Sequence, residues 1–284
     1  MSLTEIFFTP RSPGPQHFIS HVLAGLKLAA KSSKSPSPLG FLGDGTTYVH
    51  LSSRQLREIA GRRLINLACT DISKRHVDAV FTRVFGYSVE VDPLVYTGKA
   101  VRKSNKNFSH DGEVIDLPIS SVDPHSVYNL VVDNRVNGDT VEDLRAYIVC
   151  GTVACIVEKR RPLIRRFAAF TPYARFVPDC KDVLSAVELA NISRFCTELG
   201  LEFGELDVLR DRGTRRLYIV DANRCTSGPP LALEIEEAVN CVERVCEVFR
   251  DTILLSPTRV IDKEAIRFSL RRMRRLFPSA PEDI

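Results

Sequence analysis

The spacing of apolar residues changes period along the chain. Over HFISHVLAGLKLAA (17–30), Phe18, Ile19, Val22, Leu23 and Leu26 fall on one helical face, which predicts a helix. His21 and Lys27 interrupt the run, and nothing in the chain approaches the ~18 apolar residues of a membrane span. KSSKSPSP (31–38) reads as a linker between this helix and the main body. Beyond residue 39, strands and helices alternate. Gly43-Asp44-Gly45 reads as a turn before a short strand, TTYVHL, then a helix over 53–62 and a buried strand, RLINLAC (63–69). Asp71 or Ser73 is placed to cap a helix carrying Val77, Val80, Phe81 and Val84, which Gly86 ends.

Short strands follow: VEVD, KAVRKS (99–104), EVIDLP (113–118), YNLVVD (128–133), LRAYIVCG (144–151) and VACIVEK (153–159). Residues 182–199 predict an amphipathic helix with Leu189, Ile192, Phe195, Cys196 and Leu199 in one stripe and Gly200 as its stop. ELDVLR and LYIVDAN flank DRGTRR, a hairpin signal. Helices are expected again over 231–250 and, with a strongly basic face, over 262–276. Strand pairs joined by turns, with helices between, predict an α+β protein rather than a doubly wound parallel sheet. Neither G-x-G-x-x-G nor G-x-x-x-x-G-K-[ST] occurs, so Rossmann and P-loop readings have no support.

Composition narrows the function class. With 284 residues, 44% hydrophobic and 26% charged, the chain can bury a sizeable core, which excludes a disordered tail and a disulfide miniprotein. A net charge of +4 is too balanced to announce a nucleic-acid partner, and none is expected. The eight Cys include no C-x-x-C and sit mostly in apolar runs, as buried reduced thiols do. The N-terminus lacks a basic export signal, so a cytoplasmic location is expected. Homo-oligomerisation is left open.

The segment richest in chemistry is GLEFGELDVLRDRGTRRLYIVDANRCTSGPP (200–230). Asp207 is expected to start the first hairpin strand, and Asp221 and Asn223 to end the second. Thirteen residues separate Asp207 from Asp221, so a loop of odd length centred on Thr214 sets the two opposite each other. Asp221 and Asn223, two apart, share a face. Two carboxylates and an amide oxygen at one sheet edge suit Mg²⁺, particularly when phosphate oxygens complete the shell. Ordinary turn and strand-end acids are the bland alternative.

This hairpin resembles the one that binds metal in the ATP-grasp superfamily, an acid, an apolar strand, a turn, and an apolar strand ending acid-x-Asn, with Asp221 where Glu is commoner. The resemblance extends upstream over about residues 65–250. AVRKSNKNFSHDGEV is similar to the family's phosphate-covering hairpin and places Lys103 at its lysine. VYNLVVDNRVNGDTVEDLRAYIVCGTV is similar to the hinge and the start of the second lobe. The resemblance implies that Asn129, Leu130, Val131 and Val132 meet adenine, that Asp133 reaches the ribose, and that Arg145 lies near the phosphates as the catalytic arginine. DISK (71–74) is a fainter echo of an Asp-Lys that opens the preceding helix. Phrases such as FGYSVEVDP also resemble a group of bacterial ATP-grasp-like proteins with no assigned reaction.

The implied architecture is ATP-grasp-like α+β, two lobes enclosing a nucleotide. Its expected parts are an N-terminal helix and linker (1–38), a short pre-grasp region (39–95), a small lobe (96–133), a large lobe (134–250) and a basic C-terminal helix (251–284). The implied function is an ATP- and Mg²⁺-dependent ligase. It joins a small-molecule carboxylate to an amine through an acyl phosphate, with Asp207, Asp221 and Asn223 as metal ligands. The alternatives are a small-molecule phosphotransferase of the same fold and a non-catalytic nucleotide-binding module. The loop after Lys103 departs from the pattern, having only Gly112 where a glycine-rich loop brings backbone N–H groups to phosphate. KRRPLIRR (159–166) is a second anion-binding candidate, with Lys159 or Arg160 nearest the nucleotide. RFSLRRMRR (267–275) reads first as a solvated helix face, with RNA or an anionic membrane surface as the alternative. His110 and His125 lie in polar loops with no spacing for a catalytic pair.

Overall fold

The computed structural model describes residues 3–168 and 171–278. Its N-terminal sheet is parallel and four-stranded. β1 (Glu5–Thr9), β2 (Ala29–Ser32), β3 (Leu39–Leu42) and β4 (Arg63–Ile65) run in the order β2-β1-β3-β4. α1 (Phe18–Gly25) connects β1 to β2, and α2 (Ser53–Glu58) lies between β3 and β4. This corrects two expectations. The N-terminal 38 residues are not a helix and spacer, because β1 and β2 join the sheet that β3 and β4 complete. The Ser/Pro/Lys stretch is clasped against it: Ser37 Oγ donates to the Glu5 carbonyl at 2.8 Å, and Arg62 Nη1 donates to the Ser35 carbonyl at 2.8 Å. The apolar run of β1 is continuous rather than alternating, as befits a strand buried on both faces, and offers no period to read.

The strand expected at TTYVHL is only a bridge between Tyr48 and Asp71, and VEVD likewise gives only the bridge Glu90–Asn129. RLINLAC stops being a strand at Asn66, which has φ 65°. That turn aims the Asn66 amide at the backbone of residues 202 and 203. Its Oδ1 accepts from the Glu202 and Phe203 N–H groups, both at 2.9 Å, and its Nδ2 donates to the Phe203 carbonyl at 2.8 Å.

α3 (Lys74–Phe85) is capped by Ser73, whose Oγ accepts from His76 N–H, and stopped by Gly86 at φ 80°. The small sheet is antiparallel, β6-β5-β7, from β5 (Gly98–Ser104), β6 (Glu113–Leu117) and β7 (Ser126–Leu130). The large sheet, β10-β9-β8-β11-β12, comprises β8 (Thr140–Val149), β9 (Thr152–Pro162), β10 (Tyr173–Val177), β11 (Phe203–Arg210) and β12 (Leu217–Asn223). α4 (Ala186–Leu199) starts in a capping box of Ser185 and Glu188 and ends at Gly200. α5 (Ile235–Thr252) and α6 (Lys263–Leu276) complete the chain.

The large sheet has two differently covered faces. Leu144, Ala146, Ile148, Leu206, Val208 and Ile219 pack with α3 and α4. Tyr147, Cys155, Val157 and Phe203 face the other way, onto α1 and α5. α5 covers only part of that second face, and beyond it the same alternation presents charged residues. The mixture of sheets and helices is the α+β class expected. The parallel N-terminal sheet was not anticipated.

Candidate active site

The uncovered end of the large sheet forms the floor of a cavity of about 440 Å³, with the small sheet and the loop after Lys103 above it. Strand pairing fixes which residues reach it. Asp143 and Arg145 on β8 share a face with Lys159 and Arg161 on β9, because Asp143 pairs with Lys159 and Val141 with Arg161. β11 adds Asp207 opposite Arg145 and Glu205 opposite Tyr147. β12 adds Asp221 opposite Asp207 and Asn223 opposite Glu205.

Asp207 does face Asp221, but not for the expected reason. Arg210 pairs with Leu217, so the loop holds the six residues 211–216 rather than an odd number centred on Thr214. Asp211 organises it, its Oδ1 accepting from Thr214 N–H at 2.8 Å and Gly213 N–H at 3.1 Å. Val208 pairs with Ile219 and Asp207 with Asp221, so Val220 is an extra residue. This bulge shifts the register by one and turns Asp221 and Asn223 onto the floor.

The floor is a charge network. Lys159 Nζ donates to Asp207 Oδ1 at 2.8 Å, and Arg145 lies 3.3 Å from the same carboxylate and 3.4 Å from Glu205. Burial works against the Asp207 carboxylate, yet Arg145 and Lys159 outweigh it and hold the carboxyl well below the usual range. Arg145, whose charge burial also opposes, is held above its ordinary value by Asp207 and Glu205. Glu205 is pushed up to about 7, chiefly by burial, and its Oε2 is buried without a hydrogen-bond partner. Burial likewise raises Asp221, against the pull of Lys74 and Lys103. Lys103, on β5 across the cavity, is lowered to about 8, first by burial. Its Nζ lies 3.4 Å from the Val220 carbonyl, so small sheet and bulge meet at this lysine.

The loop after Lys103 solves its shortage of glycine in two ways. Phe108 and His110 adopt left-handed conformations, at φ 58° and 48°. Asp111 closes the loop by accepting from Ser104 N–H at 3.1 Å. Asn107 reaches down to the floor, where its Nδ2 donates to Asn223 Oδ1 at 2.8 Å and to the Ala222 carbonyl at 3.1 Å. Phe108, His110 and Gly112 line the cavity roof, and a Cβ on Gly112 would meet the Phe167 ring at 2.7 Å.

At the hinge, Asn129, Leu130 and Val132 line the cavity, whereas Val131 and Asp133 do not. Asp133 is engaged by Arg135 through two 2.7 Å contacts and held at about 2, first by those hydrogen bonds. The Val132 carbonyl accepts from Arg166 at 2.9 Å. Of the basic run 159–166, Lys159, Arg161 and Arg166 face the cavity, while Arg160 points away to Glu142 at 2.7 Å. Lys74, the lysine of DISK, lines it too. Arg145 pairs with Asp207 and Glu205 rather than with Glu142 or Asp143 on its own strand. Glu205 went unread, although it lies two residues before Asp207 in a strand and so must share its face.

The donor set fits one Mg²⁺ in part. Asp207, Asp221 and Asn223 are two carboxylates and an amide side by side, with the unpartnered Glu205 Oε2 behind them. Among the described residues no three His, Cys, Asp or Glu groups form a metal site by themselves, so oxygens from water or a bound phosphate would have to complete a shell. Six cationic side chains around the cavity, Lys74, Lys103, Arg145, Lys159, Arg161 and Arg166, suit a polyanionic ligand.

No family model matches the sequence, and no curated protein matches it. Among solved structures, the ATP-grasp ligase PsnB with minimal precursor, Mg and ADP aligns at TM-score 0.55 and 12% identity, over 86% of this chain and 96% of that one. PsnB with precursor peptide PsnA2 and AMPPNP aligns at TM-score 0.54 and 11% identity, over 87% and 99%. The chain has the ATP-grasp fold.

Proposed function

We propose that this protein is an ATP- and Mg²⁺-dependent ligase that activates a carboxylate as an acyl phosphate and passes it to an amine. The observation that carries this reading is the bulge-set convergence of Asp207, Asp221 and Asn223 beneath Lys103, inside a cavity ringed by six cations. Asp207, Asp221 and Asn223 hold the metal, which when bound neutralises phosphate charge during transfer. Lys103 and Lys74 attract the phosphates from above, and Asn129, Leu130 and Val132 wall the base. Asn107 fixes the Asn223 amide, linking the loop over the phosphates to the ligands below.

A carboxylate oxygen attacks the γ-phosphorus and ADP leaves with the bond electrons. The amine nitrogen then attacks the acyl carbon, inorganic phosphate departs, and the amine proton goes to solvent or phosphate. Arg145 stabilises charge on the transferring phosphoryl group through its planar fork. The roof loop and the Gly112–Phe167 contact restrict water, which otherwise hydrolyses the acyl phosphate.

A second reading concerns the carboxylate's source. PsnB structures contain precursor peptides, which supports a peptide side chain in place of a free small molecule. Both readings are tested by incubating the protein with Mg-ATP and either pooled free carboxylates and amines or peptides rich in Asp, Glu and Lys. ADP release with a product lighter by one water identifies ligation and its substrate. A stable phosphate ester instead identifies a phosphotransferase. Nucleotide binding without turnover under every acceptor leaves a binding module.

A further inference from the structure

The positive charge of this chain is concentrated in one helix. Lys263 to Pro278 holds six basic residues and one acidic residue, leaving 33 basic against 34 acidic elsewhere, from totals of 39 and 35. α6 packs its apolar side, Ile266, Leu270 and Met273, into the core with α1 and α5. Packing there does not need the charges on the opposite side. Lys263 pairs with Glu243 at 2.7 Å, and Arg267 pairs with Glu236 at 2.7 Å and with Glu264. Arg271, Arg272 and Arg275 form no ion pair among the described residues and are exposed.

These three surround exposed apolar side chains. Phe268, Arg272 and Leu276 recur every four residues and so form one line along the helix, with Arg271 and Arg275 beside it. Phe268 is 65% exposed, Leu276 53% and Phe277 44%. A merely solvated face has no use for three large apolar groups set among arginines. A nucleic-acid backbone matches the arginines but leaves Leu276 and Phe277 against water. A bound peptide requires a groove, and the cavity described above does not border α6. An anionic bilayer surface matches both parts: the phenyl and leucyl groups enter the headgroup–acyl boundary, and the guanidinium groups rest on lipid phosphates.

We propose that the outer face of α6 is a site of reversible, in-plane attachment to anionic phospholipid surfaces, with Arg271, Arg272 and Arg275 as phosphate contacts and Phe268 and Leu276 as the inserted anchors. The site is independent of the nucleotide cavity. It holds the protein at a membrane without a spanning segment, and no helix among the described residues is long and apolar enough to cross one. Three basic residues and two or three apolar side chains give weak binding that salt reverses.

The test is co-sedimentation of the full chain with phosphatidylcholine vesicles, with and without phosphatidylserine. The protein should pellet with the phosphatidylserine vesicles only, and salt at about 0.5 M, where screening acts within a few ångströms, should release it. The triple variant Arg271→Glu, Arg272→Glu, Arg275→Glu should lose on the order of a hundredfold in partitioning. Phe268→Ser, a single change on the exposed face, should weaken it severalfold without altering the melting temperature. It keeps the test decisive if the triple variant misfolds. The proposal is overturned if the folded chain stays in the supernatant, binds both vesicle types alike, or partitions unchanged with Phe268→Ser. It is equally overturned if RNA or polyglutamate binds the arginine face while vesicles do not.

Discussion

Asp207 and Asp221 face each other across the β11–β12 ladder, yet their carboxyls are displaced in opposite directions. Asp207 is lowered, since Arg145 and Lys159 overcome the effect of burial, and Asp221 is raised, since burial there outweighs Lys74 and Lys103. One acid completes an existing charge network, whereas the other is a charge the fold alone does not favour. Such an asymmetry suits a site where Asp221 meets a partner that arrives with the ligand.

This asymmetry separates the two acids experimentally. Asp207→Ala leaves Lys159 buried without its carboxylate and should destabilise the protein by about 3–5 kcal/mol. Asp221→Asn relieves an unfavourable buried charge, so unliganded stability at neutral pH should hold or rise while Mg²⁺-dependent nucleotide binding is lost. Denaturant melts of both variants check the stability claim, and nucleotide titrations check the binding claim. Equal destabilisation by the two substitutions would contradict it.

Lys103 should link nucleotide affinity to pH. Its folded value of about 8 lies below its ordinary 10.5, so the folded ammonium loses its proton first as pH rises. A phosphate over it favours the charged form. Affinity for ATP should therefore be level below pH 8 and fall above it, by up to tenfold per unit. Lys103→Met should flatten that profile and lower affinity about 10- to 100-fold, the range of a lost charge-assisted hydrogen bond. The same variant should be more stable than the parent below pH 8, where the parent must keep its buried ammonium protonated. A titration series at increasing pH checks both.

His21 gives an acid-sensitivity prediction away from the site. It is buried between α1 and α6, its Nδ1 is 2.8 Å from Ser269 Oγ, and its Nε2 has no partner. Burial lowers it from 6.5 to about 4. Between those values the unfolded chain takes up the proton and the folded chain does not, so stability falls as pH drops from 6.5 towards 4. The loss should reach about 3 kcal/mol and level off below pH 4. His21→Leu should remove this component, which thermal melts across that range will reveal.

Much of this site was legible because its logic is periodic. Asp221 and Asn223 two apart and Asp207 in the facing strand can be placed by counting along a hairpin, whereas Lys103 is placed by the resemblance of its strand and loop. What defeated counting was geometry without a sequence period. The Val220 bulge replaced the odd-length loop, and only pairing reveals it. Glu205 was hidden in an apolar strand although its parity with Asp207 pointed inward. Asp133 looked available at the hinge until Arg135, two residues on, took both carboxylate oxygens. The N-terminal parallel sheet was missed because apolar runs as short and unbroken as those in β1 and β3 show neither helical nor alternating spacing. Its partners are also distant in the chain.

In the proposed site, Asp221 and Lys103 bind Mg²⁺-nucleotide within this cleft. Isothermal titration of ATP into the native chain, with Mg²⁺ and after chelation, tests it most directly, alongside Asp221→Ala and Lys103→Ala. Saturable binding that weakens on chelation and in each variant is the expected result. Absence of binding by the folded native chain, or binding indifferent to both substitutions, would contradict it.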